Sequence, residues 1–265
     1  MKNIFCYAFV SLIITASLSS CTNDDMEISG EGNLVLEFDN SFKENDLILE
    51  TQDNTTDNNE VLKINKIKYI ISNVVLTKTD GTTYTYPKAE SYFIANEDSE
   101  TGHEFELSNI PAGDYVKIKY GIGVDKAQWE LGAEGQGDFL AVAQEESMLW
   151  NWTAGYKFIA FEGTFTSETV TTPAIFKIHT GQTGTDYNYT EVTLDLPTKA
   201  LIRTNITPEV HIVADLSKIL DGPNTIKLTD YNQNDTGATI MGGAALPLIT
   251  ENVATMFRVD HVHND

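Results

Sequence analysis

Thiols are nearly missing from this chain: of 265 residues only Cys6 and Cys21 are cysteine. Everything beyond residue 21 therefore excludes a disulfide, a thiol nucleophile, a cysteine-ligated zinc and a blue-copper centre. Basic residues are also scarce, with 17 Lys and Arg against 39 Asp and Glu, for a net charge of -22. A polyanion would be repelled over its whole approach, so nucleic acid is excluded as a partner, while cations and basic proteins are favoured. The usual catalytic signatures are absent too, with no Gly-x-Ser-x-Gly, no glycine-rich phosphate loop and no His-Glu-x-x-His. Glu145-Glu146 does not replace them, because neighbouring carboxylates point different ways on a strand or helix and read as a solvated pair. The expectation is a non-enzymatic protein.

One apolar run stands out, Ile4 to Leu18, long enough for a signal sequence and short for a membrane span. It ends in Leu18-Ser19-Ser20-Cys21, which resembles a bacterial lipobox. Residues 1–20 then read as a lipoprotein signal peptide, Cys21 as the lipidated anchor, residues 21–32 as an acidic tether and residues 33–265 as one domain. The expected location is the cell envelope, as an outer-membrane lipoprotein facing periplasm or cell surface. An ordinary secretory signal with an incidental cysteine is the plainer alternative.

From Asn33 onward, β-branched and aromatic residues alternate with polar ones in short runs. Strands are predicted at Leu34 to Phe38, Lys66 to Lys78, Thr82 to Tyr86, Tyr115 to Ile122, Tyr156 to Phe165, Ala174 to His179, Thr190 to Leu196 and Glu209 to Ala214. Short helices are predicted at Ala141 to Met148 and Leu216 to Leu220. The fold class is all-β, a single antiparallel, immunoglobulin-like β-sandwich with a loop-rich central insertion around residues 125–147.

Candidate ligands follow from spacing. His261-Val262-His263 lies in an alternating run, so both imidazoles share a side and can close on one metal ion, with His179 or Met148 as a further ligand. The alternative is a polar carboxyl terminus whose rings meet water. His211, between Val210 and Ile212, reads as a hydrogen-bonded core histidine, and His103 as loop surface. Asp230-x-Asn232-x-Asn234-Asp235-x-Gly237 offers oxygens, but its glycine is misplaced for a calcium loop and a polar hairpin fits better. Met148, Trp150 and Trp152 share a face if extended, as core or as something more.

Met148-x-Trp150-x-Trp152-x-x-Gly155-Tyr156-Lys157-Phe158 with Phe176-x-x-His179-x-Gly181 resembles the signature of the MbnP-like family, periplasmic proteins related to the methanobactin-associated copper-binding partner. Tyr69-x-Ile71-Ser72-Asn73-Val74-x-Leu76, Pro111-x-Gly113-x-Tyr115, Gly121-x-Gly123-Val124-Asp125 and the closing Met256-Phe257-x-Val259-Asp260-His261-Val262-His263 extend the likeness, the last in the manner of a Bacteroidetes lipoprotein branch. The resemblance implies a β-sandwich that binds copper through histidine. It also implies, in some members, a tryptophan oxidised to kynurenine by a di-haem partner enzyme. Carried over, Trp150 or Trp152 is the modifiable tryptophan and His179 a copper ligand. Because two same-face imidazoles supply too few ligands alone, three or four of His179, His261, His263 and Met148 are expected to converge on one pocket near Trp150. The chain departs from methanotroph-type members in having no cysteine pairs and no histidine after Gly123-Val124. The competing expectation is a surface adhesion or glycan-binding module whose tryptophans fill the core or stack on sugar.

Overall fold

A computed structural model describes residues 28–99, 101–233 and 236–265. The expected signal peptide, Cys21 and most of the tether lie outside the described residues, as does part of the Asp230 to Gly237 loop. Nine long strands carry the fold: β1 (Glu31–Phe42), β2 (Val61–Lys78), β3 (Glu104–Pro111), β4 (Gly113–Ile122), β5 (Gly155–Thr166), β6 (Ala174–Thr183), β7 (Thr190–Ile202), β8 (Glu209–Asp215) and β9 (Phe257–His263). Each forms where the period-2 pattern is cleanest. In β8, Val210, Ile212 and Ala214 are buried while Glu209, His211 and Val213 point away from them.

Two sheets face each other. In the first, β1 pairs antiparallel with β3 on one side and parallel with β8 on the other, and β8 pairs antiparallel with β9. In the second, the order is β6-β5-β2-β4-β7, every neighbour antiparallel. The all-β sandwich expected from the alternation is present; its pairing is mostly antiparallel, with β1 and β8 parallel in the first sheet and the short Ala238–Ile240 segment parallel to β6 in the second.

The core between the sheets is knit by an aromatic quartet. Phe38 and Phe257 come from the first sheet, Tyr69 and Tyr120 from the second, and their rings meet edge-on at 5.6 to 6.2 Å between centroids. Edge-on pairs of this kind add about 0.5–1.5 kcal/mol each beyond burial. Because Phe257 opens β9, the quartet also fixes the strand that carries His261 and His263.

The central insertion has a separate task. It contains α1 (Lys126–Trp129) and α2 (Phe139–Glu145) and lies on the outer face of the second sheet. There Ala143, Met148, Val124, Tyr156 and Phe158 form a small second core with Ile70 and Ile94. Helix α2 falls close to the predicted stretch. A four-residue helix, α3 (Lys218–Asp221), occupies the predicted turn after β8, and α4 (Ala245–Val253) was not foreseen.

Candidate metal centre

Three histidines meet on the outer face of the first sheet. Strand alternation puts Glu37 and Asp39 of β1, Glu209 and His211 of β8, and His261 and His263 of β9 on that face. Register then lines them up in rows: Glu104, Glu37, His211 and His261 stand opposite one another across four strands, and Glu209 stands opposite His263. The ligand atoms of His211, His261 and His263 all lie within 4.8 Å of one another. His261 Nε2 is 3.0 Å from His263 Nε2, and the His211 and His261 rings stack with centroids 4.1 Å apart.

A bulge in β9 makes this arrangement. Strict alternation from Phe257, which is buried, would turn His261 and His263 into the core. Instead the register shifts between Val259 and His261, so that Val259 opposes Ile212, Val262 opposes Val210, and Asp260 is the extra residue. Both valines pack on the core, leaving both histidines outside beside Asp260. Asp260 Oδ2 lies 2.8 Å from His261 Nδ1. That carboxylate favours the proton on Nδ1 and leaves the Nε2 lone pair directed at His263, an arrangement typical of ligating histidines.

Carboxylates enclose His211 on both edges. Glu37 Oε2 is 2.5 Å from Nδ1, and Glu209 Oε1 is 3.2 Å from Nε2. The Glu37 contact lacks hydrogen-bond geometry, and this buried oxygen has no donor among the described residues. Glu37, Asp39 and His211 also have ligand atoms within 4.8 Å of one another. Burial, a hydrogen bond shared with Glu209 and the charge of Asp39 push the Glu37 carboxyl up to about 7. His211 is thus not the core histidine its apolar neighbours implied.

The structure does not bring His179 or Met148 to this place. His179 sits on β6 opposite Ala160, on the outer face of the second sheet, and Met148 is buried in the small core beneath the insertion. The whole sandwich core separates them from His261 and His263, and facing sheets alone stand about 10 Å apart. His179 instead has Glu162 Oε1 2.9 Å from its Nε2 and the Trp150 ring at 6.1 Å, with a buried Nδ1 that has no partner among the described residues. Burial pulls the His179 imidazole below its usual range, against the opposing pull of Glu162. Nor do Met148, Trp150 and Trp152 share a face. Trp150 lies on a three-residue strand and lines an open cleft of about 550 Å³ with Asn151, Gln182 and Met241. Trp152 turns away to stack on Trp129 at 4.2 Å. Glu146 binds Lys68 at 2.6 Å. His103 borders a polar cavity with Asp39, Asn40 and Glu97.

The residues present fit a metal ion on chemical grounds: three imidazoles, one held in a ligating tautomer, and a buried carboxylate oxygen without a donor. His211 is the candidate ligand that sequence reasoning missed. Its signal was available in the spacing of Glu209 and His211, which repeats that of His261 and His263 and puts charge and imidazole on one side of a strand.

Among curated proteins none matches the chain. A solved structure, MbnP from Methylosinus trichosporium, is similar at 12% identity and a TM-score of 0.47 over 81% of this chain and 82% of its own. The family model described as MbnP matches residues 31–241, most of the described domain. The chain therefore belongs to the MbnP family.

Proposed function

We propose that this MbnP-family chain is a non-enzymatic cell-envelope protein, anchored through Cys21, that binds a transition-metal ion at His211, His261 and His263. One observation carries the reading: three imidazoles from two strands have their ligand atoms within 4.8 Å of one another on a solvent-facing sheet. Copper is the ion the family resemblance implies, and imidazole is a suitable ligand for it. Trp150 or Trp152 remains the tryptophan proposed for oxidation to kynurenine by a di-haem partner, at a place remote from these histidines.

The test is copper titration of the purified protein against a competing chelator. Replacing His261 and His263 together with Ala removes two ligands outright and should weaken binding by more than the roughly 10- to 100-fold cost of losing an outer-shell partner, while His103→Ala leaves it unchanged. Equal affinity in the double variant and the parent would refute the reading.

A further inference from the structure

The carboxylates around His211 say which kind of ion belongs here. Both ring nitrogens of His211 face carboxylate oxygens, Glu37 at 2.5 Å and Glu209 at 3.2 Å. Acidic oxygens thus stand at both edges of one imidazole, where a bound cation would meet nitrogen and oxygen donors together. Asp39 Oδ2 adds a third oxygen 3.9 Å from Nδ1, and Asp260 a fourth carboxylate behind His261. Arg258 pairs with Asp260, 2.8 Å away, leaving the carboxyl oxygens of Glu37, Asp39 and Glu209 for the ion.

Among the described residues no soft donor balances these oxygens. Among the described methionines, Met148 lies under the insertion on the opposite sheet, Met241 borders the Trp150 cleft and Met256 is packed in the central core. Thioether and thiolate favour monovalent copper, whereas imidazole with carboxylate favours borderline divalent ions, and a double positive charge is better matched to clustered carboxylates.

Resting on the metal-binding reading above, we propose that the His211, His261 and His263 centre is a divalent-cation site for Zn2+ or Cu2+, in which the Glu37 and Glu209 carboxylates hold the charge and select against Cu+. Glu37 and Glu209 act here as positioning and charge-balancing residues around His211.

The experiment titrates the purified full chain with Zn2+, with Cu2+ and with Cu+ kept reduced, each against a chelator of known affinity. Glu37→Gln combined with Glu209→Gln should weaken Zn2+ and Cu2+ by about 10- to 100-fold and Cu+ much less, and Glu37→Asp should retain most of the divalent affinity. Electron paramagnetic resonance of the parent protein with one equivalent of Cu2+ needs no variant, and should give nitrogen hyperfine structure that vanishes in His261→Ala/His263→Ala. Equal losses for Cu+ and Zn2+ in the Gln variant, or no loss for Zn2+, overturn the divalent assignment while leaving metal binding intact. If the histidine double variant binds every ion as the parent does, the metal-binding reading itself fails.

Discussion

Asp125 shows how much one half-buried acid can do. It caps α1 by accepting from the Gln128 N–H, and it also accepts from Lys88 Nζ at 2.9 Å, Asn73 Nδ2 at 3.0 Å and the Tyr92 hydroxyl at 2.8 Å. Burial alone would raise its pKa, but these donors outweigh burial and hold it at about 2. The sign follows from linkage: a carboxyl lowered in the folded state stabilises above its ordinary value near 4 and loses that contribution as pH falls toward 2. Unfolding between pH 4 and pH 2 should reveal a loss of about 2 kcal/mol from this group, absent from Asp125→Asn. A variant whose acid dependence equals the parent's would contradict this. At the same scale, His261 and His263 were legible because a two-residue spacing survives any strand register. His211 was harder to read: its two-residue spacing from Glu209 was visible, but Val210 and Ile212 on either side look like a core strand, and its company comes from β1 and β9, which the local sequence does not place beside it.

At the scale of elements, the bulge in β9 separates what was readable from what was not. The alternating sequence from Phe257 to His263 identifies a strand with two histidines on one side. Which side depends on a single extra residue, and no local pattern marks Asp260 as that residue. Replacing Asp260 with Asn preserves the bulge but removes the charge behind His261, so metal affinity should fall by about tenfold or more with the melting midpoint nearly unchanged. A large loss of stability with unchanged affinity would assign Asp260 to the fold and not to the site. Helix α4 escaped notice because its lead-in is glycine-rich and Pro247 sits in its first turn, where proline is tolerated. Its buried residues Ala245, Leu246, Ile249, Asn252 and Val253 nonetheless follow a helical spacing. Asn252, fully buried, donates to the Ile219 and Asn224 carbonyls and accepts from the Asn224 N–H, tying α4 to α3 and the loop after it.

The whole molecule combines a thiol-free described domain with a large excess of negative charge. Dithiothreitol should therefore leave its melting midpoint in place, and raising salt from about 10 to 150 mM should increase it by screening self-repulsion. A midpoint that falls with salt would mean that the surface ion pairs outweigh the repulsion. The sandwich was legible because every long strand carries its own alternation. The separation of His179 from His261 and His263 was not, because sequence does not reveal which sheet a strand joins, and these histidines lie on opposite outer faces of the same core.

Strand β9 is the outer member of its sheet, hydrogen-bonded to β8 on one side and tied to β7 mainly through Asn264, which accepts from the Leu201 N–H and donates to the Lys199 carbonyl. An ion held by His211 on one strand and by His261 and His263 on the next would be a clip across the seam where such a sheet peels first under tension. For a protein tethered to a membrane at one end and pulled at the other, loading that clip would change the force the edge withstands, so that ion occupancy would be felt as mechanical strength.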